Sequence, residues 1–176
     1  PKQFCEIFDE PLLEKTMRRV SPWGHPYVVT VKGLSVLTEK GMNNLGIPIQ
    51  KIIYEPMAKN TAPAIALACK ILADQGRQEE IAAIFPADHL VTQEQEFRKV
   101  IDLAISCAGQ GQIVTVGIEP EYPATGFGYI ECEEGVFQQS GHLVARKVRG
   151  FREKPDIATA EKFIEQKRFF WNAGMF

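Results

Sequence analysis

The stretch that decides the fold class lies between residues 48 and 91 and contains PIQKIIYEP (48–56), TAPAIALACKILADQ (61–75) and IAAIFPADHLV (81–91). The first and third segments open as apolar runs typical of β-strands, and the middle segment is a helical pattern that is apolar nearly all round. Near-continuously apolar strands are expected where helices cover both faces of a sheet. This order predicts an α/β fold with a mainly parallel sheet. It also predicts that the middle helix is buried on more than one side.

The flanking sequence continues the alternation of strands and helices. Further strand-like runs are HPYVVTV (25–31), QIVTVGIEP (112–120) and GFGYIEC (126–132). Apolar periodicity predicts helices over 12–20, 93–108 and 157–166. No linker rich in Gly, Ser or Pro divides the chain. One domain is therefore the simplest interpretation.

Polar side chains mark where several of these helices begin. Thr92, with Gln95 three residues later, fits a capping box for the helix over 93–108. Asp156 is expected to cap the helix over 157–166.

Composition and charge exclude several classes of protein. The chain has 176 residues, 45% of them apolar and 24% charged, with a formal net charge of -2. Such a balance is ordinary for a globular protein and gives no overall attraction to nucleic acid or to an anionic membrane. The sequence shows neither a run of eighteen apolar residues nor the pattern of a signal peptide. We therefore expect a cytoplasmic protein without nucleic-acid or membrane partners.

The four cysteines are scattered along the chain. They are Cys5, Cys69, Cys107 and Cys132. No pair has the close spacing of a zinc or redox motif, so we expect reduced, buried thiols.

The segment 81–91 ends in an acid where this fold class binds ligands. Ligands of open α/β sheets lie beyond the carboxyl ends of the strands, and Asp88 follows such an end. A carboxylate there can hold Mg²⁺ together with substrate phosphates. The alternative, of about equal weight, is that Asp88 only caps a turn shaped by Pro86. His89 is expected to be a turn residue or to support Asp88.

The segment EPMAKNTAPAIALA (55–68) combines a carboxylate with a helix start. Asn60 or Thr61 can cap this helix, whose first turn offers free backbone N–H groups and a positive dipole end. Guanine presents a ring N–H beside an exocyclic amine, and Glu55 can accept both hydrogen bonds. Adenine lacks this donor pair and would leave a buried carboxylate unpaired. The alternative is a surface glutamate before a capped helix.

Three later segments carry residues suited to a sugar phosphate: PATGFGYIE (123–131), REKP (152–155) and WNAGMF (171–176). Glycine at 126 and 128 lets the backbone approach a ligand closely. Lys154 supplies a point charge for a phosphate, and Asn172 can hydrogen-bond a hydroxyl. A glycine-kinked hairpin and a solvated strand end explain the first two segments nearly as well.

Taken together and in this order, these motifs resemble one family. EPMAKNTAPAIALA, FPADHLV, TGFGYIE, EKPD and WNAGMF, with the opening PKQF, are similar to mannose-1-phosphate guanylyltransferases of the bacterial type often fused to a mannose-6-phosphate isomerase domain. The resemblance covers essentially the whole chain. It implies a nucleotide-diphospho-sugar transferase (Rossmann-like) α/β fold, with a mixed, mainly parallel central sheet flanked by helices, in one domain over 1–176.

The resemblance also implies an activity and a role for each motif. The reaction would join GTP and mannose 1-phosphate to give GDP-mannose and pyrophosphate with Mg²⁺ as cofactor, and a homo-oligomer is a possible assembly. The residues carried over are Lys2 for the nucleotide phosphates, Asp88 for the metal, Glu55, Asn60, Thr61 and Ala62 for guanine, and Gly128, Glu153, Lys154 and Asn172 for the sugar phosphate.

The chain departs from the family pattern at four points. A glycine-rich loop resembling GGSGTRLWPLS, expected upstream of PKQF, and a second metal-binding aspartate, expected beyond WNAGMF, are absent, so the domain is expected to be incomplete at both ends. Lys59 stands where arginine is common, and Arg152 stands where an apolar residue is expected. The alternatives are a nucleotidyltransferase for another sugar or base and a non-catalytic sugar-nucleotide-binding subunit.

Overall fold

The computed structural model describes residues 1–7, 9–24 and 26–176. The chain divides into two compact units, Pro1–Thr92 and Gln93–Phe176. The expectation of one domain over 1–176, incomplete at both ends, stays a prediction. Among the described residues, no helix combines the length and the apolarity needed to cross a bilayer.

The first unit contains helices and two pairs of short strands. Its helices are α1 (Leu12–Val20), α2 (Ser35–Asn44) and α3 (Thr61–Asp74), and its strands are β1 (Glu6–Ile7), β2 (Glu10–Pro11), β3 (Val28–Val31) and β4 (Ile52–Glu55). β1 pairs with β2 in antiparallel fashion, and β3 pairs with β4 in parallel fashion. The predicted helix over 12–20 is confirmed with the same bounds. The helix α2 was not predicted, because its few apolar residues form no continuous stripe in the sequence. In the structure one of them, Val36, is 78% exposed.

The core of the first unit forms where α1 meets α2. Leu13 and Met17 lie four residues apart on one face of α1 and pack against Met42 of α2 and the nearby Ile47. Residues at this spacing share a helix face, so the sequence pattern of α1 directly produces its burial. Ala87, one residue before the predicted metal ligand Asp88, packs against the same cluster.

Two predictions for the first unit are wrong. Residues 81–87, predicted as a strand, join no sheet within the described part of the chain. Their apolar composition suits a strand, but a strand also needs a neighbour that supplies hydrogen bonds. The helix α3 was expected to be buried on more than one side, yet it has no buried residue, and its half-buried side chains fall on one stripe from Ala64 to Leu72.

The second unit is built on an antiparallel sheet. Its helices are α4 (Glu94–Ala108) and α5 (Ile157–Glu165), and its strands are β5 (Gly117–Ile118), β6 (Tyr129–Cys132), β7 (Gln138–Ser140), β8 (Leu143–Ala145), β9 (Val148–Arg152) and β10 (Phe169–Asn172). The sheet order is β5-β10-β6-β9, and β7 and β8 form a separate hairpin.

The core of the second unit lies between α5 and one face of this sheet. Tyr129 of β6 is completely buried and packs with Ala160 and Phe163 of α5 and with Phe169 of β10. The rings of Phe163 and Phe169 stack with their centroids 4.0 Å apart. Side chains alternate between the two faces of a strand, so the neighbours of Tyr129 along β6 point away from α5.

The strand predictions for the two units are met only in part. The predicted strands over 48–56 and 126–132 are present, although shorter, as β4 and β6, and the predicted strand over 112–120 is reduced to β5. The predicted strand over 25–31 begins at Val28, and its first residue, His25, lies outside the described residues. The sheets are mixed overall, but among the described strands parallel pairing is confined to β3 and β4. The predicted predominance of parallel pairing is therefore wrong: the four-stranded sheet of the second unit is antiparallel, and residues 81–87 add no parallel strand.

One of these two helix-cap predictions is correct and the other is wrong. Asp156 caps α5, because its Oδ1 accepts a hydrogen bond of 2.8 Å from the backbone N–H of Thr159. The predicted capping box of Thr92 and Gln95 does not form: α4 begins after Gln93, which shifts both side chains by one position relative to the helix start. A cap depends on this position, and periodicity alone leaves it uncertain by a residue or two.

The cysteines are free, but the expectation that all four are buried is wrong. Cys5 and Cys69 are exposed, whereas Cys107 and Cys132 are buried. Burial raises the pKa of the Cys107 and Cys132 thiols, which disfavours the reactive thiolate.

Candidate functional site

In the first unit, Glu55 lies at the carboxyl end of a parallel strand, as expected for a ligand-binding residue. The register of β3 and β4 places Glu55 opposite Val31. A cleft of about 540 Å³ opens here and is lined by Val31, Lys32, Gly33, Tyr54, Glu55, Pro56 and Met57. Next to Glu55, the hydroxyl of Tyr54 donates a hydrogen bond of 3.0 Å to Glu39 of α2, which ties the end of β4 to that helix. Glu55 itself is half-buried rather than buried.

The segment after Glu55 reaches α3 through a strained residue. Asn60, the residue before α3, has φ 64° and ψ -170°. Residues other than glycine rarely adopt this conformation, which costs of order 1–3 kcal/mol and is concentrated at ligand-binding sites. The side chain of Asn60 makes no capping hydrogen bond to any described residue, contrary to the expected cap.

The start of α3 is open to solvent. Thr61 and Ala62 are exposed, and no acidic side chain lies in the first turn as described. The first N–H groups of a helix lack partners within the helix and favour an electron-rich ligand. Asn60, Thr61 and Ala62, three of the residues predicted to bind guanine, are therefore accessible at this helix start.

Asp88 lies in a turn directly after residues 81–87, and its side chain is 42% exposed. His89 Nε2 is 3.9 Å from Asp88 Oδ1, so the imidazole lies beside the carboxylate but too far away for a hydrogen bond. No group of three or more His, Cys, Asp or Glu side chains within the described residues could hold a metal ion by itself. This arrangement fits Mg²⁺ that arrives with a phosphate substrate, because such Mg²⁺ uses one or two carboxylates, water and phosphate oxygens.

Lys2 lies in a short 3-10 helix, Lys2–Phe4, and is exposed. An exposed ammonium group at the end of a flexible side chain can reach a phosphate without the bidentate geometry that arginine imposes.

In the second unit, Gly128, Glu153 and Asn172 come together. Tyr129 of β6 pairs in antiparallel fashion with Arg152 of β9 and with Trp171 of β10. Gly128, which precedes Tyr129, therefore lies in one row with the residues that follow Arg152 and Trp171. A methyl group at Gly128 would be 3.0 Å from Glu153 Oε2 and 3.9 Å from the Cβ of Asn172. The backbone N–H of Asn172 donates a hydrogen bond of 2.8 Å to the backbone carbonyl of Gly128.

This row places polar side chains beside the backbone of Gly128, which carries no side chain of its own. Asn172 Oδ1 accepts a hydrogen bond of 2.9 Å from the N–H of Gly174, which leaves the amide NH₂ group of Asn172 as a donor. Lys154 Nζ lies 3.2 Å from Glu153 Oε1. The backbone of Lys154 has φ 42°, a left-handed conformation that turns the chain sharply after β9. A carboxylate, an ammonium group and an amide therefore converge near one glycine, a set suited to hydroxyl and phosphate groups.

The loop before β6 is anchored by aromatic side chains. Tyr122 and Phe127 pack edge to face on Trp171, with centroid distances of 4.9 Å and 5.2 Å. These contacts hold the segment 122–127 on β10, which also carries Asn172. The sequence did not predict this anchor, because Trp171 and the loop are far apart in the chain.

Sequence reasoning also missed Glu131. Its side chain is only 3% exposed, although charged side chains are seldom buried. The departure at Arg152 was the available indication, because the guanidinium group of Arg152 donates a hydrogen bond of 2.6 Å to Glu131.

Comparison with known proteins identifies relatives of the whole chain. The family model described as "Nucleotidyl transferase" matches residues 1–176. A protein of Sinorhizobium fredii named "Mannose-1-phosphate guanylyltransferase" is 35% identical over 179 residues, covering 99% of this chain and 34% of that protein. The "Alginate biosynthesis protein AlgA" of Pseudomonas aeruginosa is 34% identical over 179 residues, covering 100% of this chain and 36% of that protein.

A solved structure extends the likeness to the fold. The structure described as "mannose-6-phosphate isomerase from Helicobacter pylori" matches with a TM-score of 0.80 and 30% identity, over 100% of this chain and 64% of that chain. The chain spans about a third of the length of the two curated relatives from Sinorhizobium fredii and Pseudomonas aeruginosa. The match over all 176 residues, together with the fold, supports the α/β fold class, and the chain belongs to the nucleotidyl transferase family.

Proposed function

We propose that the protein transfers a guanylyl group from GTP to mannose 1-phosphate, releasing pyrophosphate. A phosphate oxygen of mannose 1-phosphate attacks the α-phosphorus of GTP. The bond from that phosphorus to the β-phosphate oxygen breaks, and its electron pair leaves with pyrophosphate. The observation that carries this proposal is the row formed by Gly128, Glu153 and Asn172 beside Lys154. The relatives named for mannose-1-phosphate guanylyl transfer support the choice of substrates.

The sugar-phosphate half of the reaction is assigned to the row in the second unit. Glu153 accepts hydrogen bonds from sugar hydroxyls, and the amide of Asn172 donates to one. Lys154 pairs with the phosphate of mannose 1-phosphate, and Gly128 lets the sugar lie against the backbone. Phosphoryl transfer of this kind needs mainly positioning and charge neutralisation, which these groups supply.

The nucleotide half is assigned to the first unit. Glu55 accepts the ring N–H and the exocyclic amine of guanine, while Asn60, Thr61 and Ala62 face the base from the start of α3. The strained backbone of Asn60 supports this role, because strain of this kind is concentrated at ligand-binding sites. Lys2 contributes positive charge at the phosphates.

Asp88 is the residue assigned to hold Mg²⁺. The ion, when bound, would neutralise charge that develops on the phosphates during transfer. The carboxylate of Asp88 is accessible. The neighbouring His89 can orient this carboxylate by a hydrogen bond after a small movement of the imidazole. A cytoplasmic location and a homo-oligomeric assembly complete the proposal.

Glu55→Gln tests the base assignment. We expect the variant to raise the KM for GTP by about ten- to hundredfold, because one donor of guanine would then face a donor of glutamine. The KM for mannose 1-phosphate should change by less than about twofold. Steady-state kinetics with each substrate varied in turn measures both values.

Inosine triphosphate sharpens this experiment, because hypoxanthine keeps the ring N–H but lacks the exocyclic amine. The unaltered protein should prefer GTP to ITP, and Glu55→Gln should reduce that preference. If Glu55→Gln raised the KM values for GTP and for mannose 1-phosphate equally, Glu55 would have no role in base recognition. An unchanged preference for GTP over ITP would lead to the same conclusion.

A further inference from the structure

A buried carboxylate, Glu131, lies at the centre of a cluster of arginines in the second unit. Glu131 is on β6 and is only 3% exposed. Arg152 Nη2 lies 2.6 Å from Oε2, Arg168 Nη2 lies 3.2 Å from Oε1, and Arg149 Nε lies 3.7 Å from Oε1. The two oxygens therefore differ: Arg149 and Arg168 approach Oε1, whereas Arg152 approaches Oε2.

The two faces of β9 connect this cluster to the candidate sugar site. Arg152 is the last residue of β9 and pairs directly with Tyr129, so both side chains lie on the same face of the sheet. Glu131 lies two residues after Tyr129 on β6 and therefore shares that face. Glu153 follows Arg152 and points to the opposite face, where Gly128 lies. The ion pair of Glu131 and Arg152 thus holds the end of β9 on the opposite face, one residue before Glu153, whose carboxylate lies beside Gly128.

Glu153 needs such a fastening because its own side chain is weakly held. It is 74% exposed, and it makes an ion pair with the neighbouring Lys154, whose side chain is also exposed. Exposed ion pairs contribute little to order. The hydrogen bond from Arg152 to Glu131 is short and its acceptor is buried, so we expect it to hold the chain at Arg152 more firmly than the exposed pair holds Glu153.

We propose that Glu131 and Arg152 are positioning residues, which set the place of Glu153 against Gly128 for recognition of the sugar phosphate. The proposal rests on the function proposed above for the sugar phosphate. It also explains the arginine at position 152, where an apolar residue was expected: the guanidinium group balances a carboxylate that would otherwise be buried without its closest partner.

The chain offers a matched control in Arg149. Both arginines belong to β9, both are largely exposed, and both approach Glu131. Only Arg152 adjoins Glu153. We expect Arg152→Ala to raise the KM for mannose 1-phosphate about tenfold and to leave the KM for GTP within twofold. Arg149→Ala should change neither value by more than twofold, because Arg168 still pairs with Oε1. Arg152→Lys should restore most of the lost affinity.

A second measurement does not depend on activity. In ¹H–¹⁵N spectra of the protein without substrate, Arg152→Ala should move the backbone signal of Gly128 and the side-chain amide signal of Asn172, and Arg149→Ala should not. Unmoved signals in Arg152→Ala, or equal shifts in both variants, would overturn the positioning role. If the unaltered protein turns over no mannose 1-phosphate, the proposed function fails, and the spectra alone decide whether this ion pair positions Glu153.

Discussion

Replacing Asp88 by asparagine is expected to lower kcat by about a hundredfold to a thousandfold, the range seen when one group that stabilises transition-state charge is removed. The amide has the shape of the carboxylate but carries no charge, so it cannot hold Mg²⁺ at the phosphates with comparable strength. Rates measured at saturating GTP and mannose 1-phosphate over a range of Mg²⁺ concentrations test this expectation.

The same variant should keep its fold. The Asp88 side chain is 42% exposed, and substitutions at such positions usually change the free energy of unfolding by less than about 0.5 kcal/mol. His89→Asn is the matched neighbour, and it should reduce the rate far less. Unchanged turnover in Asp88→Asn, or an equal loss in His89→Asn, would contradict the assignment of Asp88 as the metal ligand.

Gly128→Ala is expected to raise the KM for mannose 1-phosphate by about tenfold to a hundredfold. The added methyl group would stand 3.0 Å from Glu153 Oε2 and would push that carboxylate out of the row. Because Glu153 is a flexible and exposed side chain, it can move at little cost to stability. The variant should therefore lose affinity for the sugar phosphate without losing thermal stability, and titration of mannose 1-phosphate together with thermal unfolding measures both.

Gly126→Ala provides the control two residues earlier in the same loop. A methyl group there would meet no described atom within 4 Å, so both affinity and stability should stay close to those of the unaltered protein. If both glycine variants weakened binding equally, the effect would come from stiffening of the loop rather than from the contact with Glu153.

The local parts of the fold could be predicted from the sequence. The helix α1 follows directly from Leu13 and Met17 on one face, and the cap of α5 follows from the short side chain of Asp156. Such features depend on residues that are close in the chain. The strand expected over 81–87 failed because its pairing depends on a partner elsewhere in the chain, which composition does not specify.

The candidate site shows the same division. Glu55 at a strand end could be expected from local pattern alone, and the structure places it there. The row of Gly128, Glu153 and Asn172 joins three strands, and its register is fixed by long-range pairing that no single motif specifies. The resemblance to a family brought these residues together before the structure did, but it gave no indication of Glu131, whose partner is a residue that departs from the family pattern.

Product formation by the intact protein tests the central claim most directly. The protein would be incubated with Mg²⁺, mannose 1-phosphate and either GTP, UTP or dTTP, and the products would be identified by ³¹P NMR and mass spectrometry. Guanylyl transfer predicts GDP-mannose and pyrophosphate in equal amounts from GTP, and far slower reaction with the other two nucleotides. Equal rates with all three nucleotides, or binding of GTP without any release of pyrophosphate, would contradict it.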